Sequence, residues 1–172
     1  MTKPELAAAI RASRIEGSFR LRSGATTTEY FDKYRFESNP HVLRAIAAAL
    51  AAVVPRDTDV LAGIELGGVP IATALSLHTG LPCAFVRRHA NEYGTRRLAE
   101  GADIAGGRVL VVEDVVTSGG QLVMSCVELR RLGAVVAHAV CVVDRGGGGR
   151  DRLRDNGITL HALFSAADLR QA

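Results

Sequence analysis

The stretch RVLVVEDVVTSGGQL, residues 108–122, constrains this chain more than any other. A short, branched apolar run from Val109 to Val112 leads into two acids, Glu113 and Asp114. Thr117, Ser118, Gly119 and Gly120 follow, and then a helical pattern from Gln121 to Leu132. A strand that passes at once into a helix belongs to a strand–helix unit, and such units assemble into sheets with helices on their faces.

The rest of the chain repeats this alternation. Val60 to Ile64, Cys83 to Val86, Val135 to Val143 and Ile158 to Phe164 read as further strands, while Val42 to Val53 and Val69 to His78 read as helices. Gly80 and Gly133 stand where helices should stop. The expected fold class is α/β, a mostly parallel sheet flanked by helices, with ligands bound beyond the carboxyl ends of the strands. One domain over residues 1–172 suits the length. Two stretches interrupt the pattern. Residues 1–39 contribute a hood, most distinct over 16–39, and residues 87–101, polar and punctuated by Gly94 and Gly101, are expected to form a mobile loop that closes on substrate. The run Gly146 to Gly149 reads as a flexible turn.

Composition narrows the partners. No apolar run approaches the roughly 20 residues of a membrane span, and MTKPELAAAIRAS reads as a first helix, so a cytoplasmic protein is expected. A net charge of +3 with 5% aromatic residues falls short of the basic stripes and stacking rings of a nucleic-acid surface. A small anionic substrate is the better match. Cys83, Cys126 and Cys141 sit in apolar runs without metal-type spacing and should be reduced core residues.

Residues 113–121 have the chemistry of a phosphate cradle. Small residues let backbone N–H groups approach an anion, the hydroxyls of Thr117 and Ser118 add donors, and the helix that follows contributes the positive end of its dipole. Glu113 and Asp114 can accept hydrogen bonds from neighbouring sugar hydroxyls and help place a divalent ion on the same sugar phosphate. Taken singly, these features also suit a helix cap with solvated acids.

The complete string resembles the sugar-diphosphate motif of the type I phosphoribosyltransferases, and four other segments resemble the orotate phosphoribosyltransferases among them. FRLRSGATTTEYFDKY, from Phe19 to Tyr34, is similar to the family's hood, and GIELGGVPIATALS, from Gly63 to Ser76, to its diphosphate loop. VRRHANEYGTRRLAEG, from Val86 to Gly101, is similar to its catalytic loop, and VVDRGGGG, from Val142 to Gly149, to a segment contacting the orotate carboxylate. The resemblance implies a type I phosphoribosyltransferase fold with a small N-terminal hood. It also implies that phosphoribosyl passes from 5-phosphoribosyl-1-diphosphate to orotate with Mg2+, in a homodimer whose catalytic loop reaches the neighbouring site.

Carried over by position, Glu113, Asp114, Val115, Val116, Thr117, Ser118, Gly119, Gly120 and Gln121 would hold the sugar phosphate. Gly67, Gly68, Arg87, Arg88, Asn91 and Tyr93 would surround the diphosphate. Arg22, Tyr30, Phe31, Thr117 and Arg145 would bind orotate, where an aromatic wall and a forked cation suit a flat acid. Arg87, Arg88 and Asp114 are the implied catalytic residues, with Mg2+ held mainly by the substrate and helped by Asp114. On their own, Arg22, Tyr30 and Phe31 equally suit a hairpin with a snorkelling arginine and two core rings.

The chain departs from the family where a lysine and a histidine commonly contact the diphosphate, for Asn91 and Tyr93 stand there. Losing one charge-assisted donor on the leaving group costs on the order of a hundredfold in rate. Thr27, Thr28 and Glu29 also replace a more usual Ser-Pro-Tyr stretch. Two other outcomes therefore stay open: transfer to another acidic base, and a ligand-sensing regulator with weakened turnover. A regulator would need a nucleic-acid surface that the sequence does not display. A nicotinamide-dependent dehydrogenase lacks its glycine fingerprint here.

Overall fold

The strongly apolar runs lie at the centre of a six-stranded sheet. The structure, a computed structural model, describes residues 1–20, 24, 26–89 and 97–171, with backbone only at 27 and 29. In chain order the elements are α1 (Lys3–Arg11), β1 (Arg14–Arg20), β2 (Thr26–Phe31), α2 (Tyr34–Glu37), α3 (Pro40–Ala51), β3 (Val60–Ile64), α4 (Gly68–Thr79), β4 (Cys83–Val86), β5 (Ala99–Gly101), β6 (Arg108–Val116), α5 (Gly120–Arg131), β7 (Val135–Asp144), α6 (Gly149–Asp155), β8 (Thr159–Ser165) and α7 (Ala166–Gln171). The large sheet runs β5-β4-β3-β6-β7-β8, and β1 with β2 forms a separate antiparallel pair. All its pairings are parallel except that of β4 with β5.

The central strands feed two cores because successive side chains point to opposite faces. Val109 and Val111 pack with Leu122, Cys126 and Leu129 of α5 and Leu153 of α6, whereas Leu110 and Val112 pack with Ile10 of α1, Ile46 and Leu50 of α3, and Ile71 and Leu75 of α4. β3 is buried along its whole length. Each such Leu or Ile contributes ~1.5–3 kcal/mol by leaving water, which is why these strands read as unbroken apolar runs. Helix ends are marked locally. Thr2 and Glu5 form a reciprocal capping box on α1, Asn39 accepts from the N–H groups of His41 and Val42 at the start of α3, and Gly80 ends α4 with a left-handed φ of 78°.

Strand order reverses between β3 and β6, so their carboxyl ends border a crevice. Register places Gly63 opposite Val112, which brings the residues after Ile64 beside Glu113 and Asp114. Gly68 sits so close to β6 that a Cβ there would collide with the Val112 carbonyl oxygen. Only glycine allows this approach.

The strands expected at 60–64 and 83–86 form with those bounds, and the one expected at 109–112 runs on to Val116, taking both acids into the strand. The short elements α2, β5, α6 and α7 have no period long enough to announce them. Two boundaries shift as a result. Ala99–Gly101 pairs with β4, so a loop over 87–101 ends before Ala99. Leu6, Ala7 and Ile10 of α1 join the core beside α3, so within residues 1–39 only β1 and β2 make a sheet of their own. The glycine run is also no free turn. A Cβ on Gly149 would come 2.6 Å from the Thr117 carbonyl oxygen, and one on Gly147 2.9 Å from Thr117 Cγ2. These glycines pack on the residues between β6 and α5, a demand for closeness that composition does not reveal.

Candidate active site

Two helix N-termini open onto the crevice. α4 follows Gly67 and α5 follows Gly119, and neither has a side-chain cap hydrogen bond. In α4 the Val69 N–H donates to the Leu66 carbonyl and Pro70 has none, which leaves the Gly68 N–H for an anion, whereas the first turn of α5 begins with Gly120 and Gln121. Gly119 has φ 69°, and a Cβ there would press on Gly149, so the turn into α5 demands glycine on both counts. Thr117 and Ser118 are exposed beside it, and Gln121 is exposed on the first turn of α5. Val115 and Val116 turn their side chains into packing, the second into the core under α5, so only their backbone reaches a ligand.

Glu113 and Asp114 do not sit side by side. Strand alternation sends their Cβ atoms to opposite faces, and their partners differ. Glu113 Oε1 accepts from the Asp114 N–H at 3.1 Å. Asp114, 1% exposed, meets Lys33 Nζ through Oδ2 at 2.5 Å, and its Oδ1 accepts from the Val115 N–H. Glu37 of α2 is buried nearby, and neither of its carboxylate oxygens has a hydrogen-bond partner among the described residues. Burial and then the Asp114 charge push the Glu37 carboxyl up to about 8, and the same causes raise Glu113 well above the usual carboxylate range. Burial pulls Lys33 down, but its bond to Asp114 outweighs burial and the net direction is up. Gly67 completes the group. A Cβ there would overlap Asp114 Oδ2 and stand 2.8 Å from Glu37 Oε1.

Glu65, just ahead of Gly67, accepts from the Arg88 N–H at 2.6 Å and so ties the start of residues 87–89 to the α4 turn. The peptide between Glu65 and Leu66 is cis. Arg87 donates its N–H to the Leu98 carbonyl, and its buried Nε has no hydrogen-bond partner among the described residues. Arg88 is exposed. Asn91 and Tyr93 lie outside the described residues, as does Arg22.

Three of the five expected orotate residues meet in a cavity of their own. Tyr30, Phe31 and Arg145 line one cavity of about 420 Å³ with Arg11, Arg14, Val143, Ala166, Leu169 and Arg170. Four arginines from three parts of the chain thus line one space. Arg145 does not pair with its neighbour Asp144, whose partners are Arg150 Nε and the Gly146 N–H. Tyr30 is partly exposed and stacks on Phe19 at 5.4 Å, whereas Phe31 packs on Phe36 at 5.9 Å and is as much core as wall. Thr117 is not among the lining residues. Lys33, Glu37, Arg11, Arg14 and Arg170 escaped the sequence reading. Each is a lone polar residue near a short element, and the only signal was that Lys33 and Tyr34 fall inside the hood segment.

The comparisons agree with this geometry. The phosphoribosyl transferase domain model matches residues 34–159. The chain is 48% identical over 156 residues to an orotate phosphoribosyltransferase of Nocardioides sp., covering 91% of this chain and 87% of that protein. It is 44% identical over 170 residues to one from Halobacterium salinarum, covering 98% and 97%. The Mycobacterium tuberculosis orotate phosphoribosyltransferase solved in complex with 5-phospho-α-D-ribosyl 1-diphosphate superposes with a TM-score of 0.84 at 27% identity, covering 98% of each chain. With its switch-point crevice, glycine-lined helix starts and buried acid, the chain belongs to the phosphoribosyl transferase family, in its orotate phosphoribosyltransferase branch.

Proposed function

We propose that this chain transfers the phosphoribosyl group of 5-phosphoribosyl-1-diphosphate to orotate, giving orotidine 5'-phosphate and diphosphate in pyrimidine nucleotide biosynthesis. The observation that carries this reading is the meeting of Gly67 with buried Asp114 between the uncapped starts of α4 and α5. Backbone N–H groups at Gly119, Gly120 and Gln121, with the hydroxyls of Thr117 and Ser118, hold the sugar phosphate. Those at Gly67 and Gly68 receive the diphosphate. Asp114 and Glu113 accept from the ribose hydroxyls, each from its own side of the strand end. Tyr30, Phe31, Arg22 and Arg145 orient orotate, with the arginines on its carboxylate.

A base nitrogen attacks the anomeric carbon as diphosphate departs, and positive charge grows on the ribose ring. The protein forms no bond to the sugar. Its contribution is alignment, with dipoles and charges already in place. Arg87 and Arg88 face the charge that builds on the diphosphate, and Asn91 and Tyr93 add neutral donors. Carboxylate oxygens are the hard donors magnesium prefers, so Asp114 and Glu113 fit a Mg2+ ion carried mainly by the substrate. When bound, that ion supplies positive charge against the leaving group.

The reading includes a cytoplasmic homodimer with shared sites. Free Cys83, Cys126 and Cys141 are in keeping with a reducing compartment, and exposed Leu66, Leu77 and Phe85 with a partner surface. The test is a spectrophotometric assay with orotate, 5-phosphoribosyl-1-diphosphate and Mg2+, run beside Asn91→Lys. Wild-type turnover is expected. Turnover confined to the variant would mean an intact site limited by Asn91, and inactivity of both would favour another acidic base or a ligand-sensing role.

A further inference from the structure

Lys33 closes the hood segment without a role in the reaction proposed above, yet it touches the centre of the site. It is the residue from which α2 starts, and it is held between two environments. Its Nζ is 2.5 Å from Asp114 Oδ2 and 5.4 Å from the ring centroid of Tyr34. Lys33 is 26% exposed, whereas the Asp114 side chain it meets is 1% exposed.

The same Asp114 oxygen stands against the backbone of Gly67, where no Cβ would fit, and Glu37 Oε1 borders that spot. Lys33, Glu37, Asp114 and the α4 turn therefore share one small space, drawn from three distant parts of the chain. Glu37, Glu113 and Asp114 bring three carboxyl groups to the end of β6 beside one ammonium, and a sugar diphosphate would bring further negative charge to the same place. A buried carboxylate keeps its direction only while a partner holds it.

We propose that Lys33 is a positioning residue of the sugar-diphosphate site: its ammonium holds the Asp114 carboxylate against Gly67 and offsets the negative charge that the incoming substrate meets there. The proposal rests on the sugar-diphosphate reading of the crevice. Lys33 reaches the sugar only through Asp114, while its charge acts directly on the diphosphate beside the α4 turn. Its removal must therefore weaken the sugar diphosphate and leave the acidic base unaffected.

The experiment is calorimetric titration of 5-phosphoribosyl-1-diphosphate with Mg2+ into wild type, Lys33→Met and Lys33→Arg, with KM measured for both substrates. Lys33→Met should weaken binding and raise the KM of the sugar diphosphate on the order of tenfold, leaving the KM of orotate unchanged. Lys33→Arg should recover most of the loss. Wild-type affinity in Lys33→Met overturns the proposal, as does an equal rise in both KM values without recovery by Arg, which would mark a merely structural hood contact. If Lys33→Met does not fold, the double variant Lys33→Met/Glu37→Gln removes the ammonium and one buried acid together and undergoes the same titration. Wild type that binds no sugar diphosphate overturns the functional reading itself, an outcome distinct from equal binding by wild type and variant.

Discussion

A single buried carboxyl can set how the molecule responds to pH. Glu37 lies at the end of the four-residue α2, both its oxygens lack hydrogen-bond partners among the described residues, and burial followed by the Asp114 charge raises it to about 8. The folded state thus binds a proton that the unfolded chain releases near the ordinary glutamate value of 4.5. Glu37 contributes stability that is fully present below that value and is lost as pH rises toward about 8, where folding must leave an ionised carboxylate among other acids. Glu37→Gln should flatten this decline. Thermal unfolding at pH 5 and at pH 9 is the check: the variant should match wild type at pH 5 and melt several degrees higher at pH 9. An unchanged difference between the two pH values would mean that Glu37 does not carry the effect.

At the scale of elements, the crevice depends on how helices are tied to strands. α5 must hold its first turn beside Thr117 and Ser118, and its far end is anchored by Arg130. That guanidinium donates to the Val136 carbonyl at the start of β7 and to the Asn156 and Gly157 carbonyls between α6 and β8. Three carbonyls, one on β7 and two between α6 and β8, thus converge on one side chain. Arg130→Met keeps the aliphatic stem and removes the donors, and a hydrogen bond to a charged group contributes ~1.5–3 kcal/mol net of its exchange with water. We expect a loss of about 2–3 kcal/mol in chemical denaturation. Orotate and sugar-diphosphate KM values should change little, because the anchor lies at the end of α5 away from the ligand.

For the whole molecule, the question is whether one chain makes a complete site. Leu66, beside the α4 turn, is 60% exposed, and Leu77 near the far end of α4 is 85% exposed, so large apolar side chains meet solvent at both ends of that helix. In a shared-site homodimer this surface is covered by a second copy, and activity follows association. Specific activity should therefore fall when the enzyme is diluted through the range where sedimentation shows dimers giving way to monomers. Constant activity per chain across that range would show each chain to be sufficient.

The class of fold and the strand-to-helix turn of residues 108–122 were legible because their signals are local. Apolar runs with helical patterns between them imply a parallel sheet, and residues 113–121 carry strand end, acids, hydroxyls and glycines within one turn of chain. The cavity lined by Tyr30, Phe31 and Arg145 was half legible. Tyr30, Phe31 and Arg145 do meet in one cavity, but Arg11, Arg14 and Arg170 join them from segments with no motif. Tertiary structure alone decided that Asp114 faces Lys33 and Glu37, that Asp144 pairs with Arg150 rather than Arg145, and that Gly147 and Gly149 press on Thr117. The physical reason is range. Propensity, capping and alternation act over neighbouring residues, whereas the meeting of residues 33, 37, 67 and 114 depends on how helices settle on a sheet once both of its faces are buried.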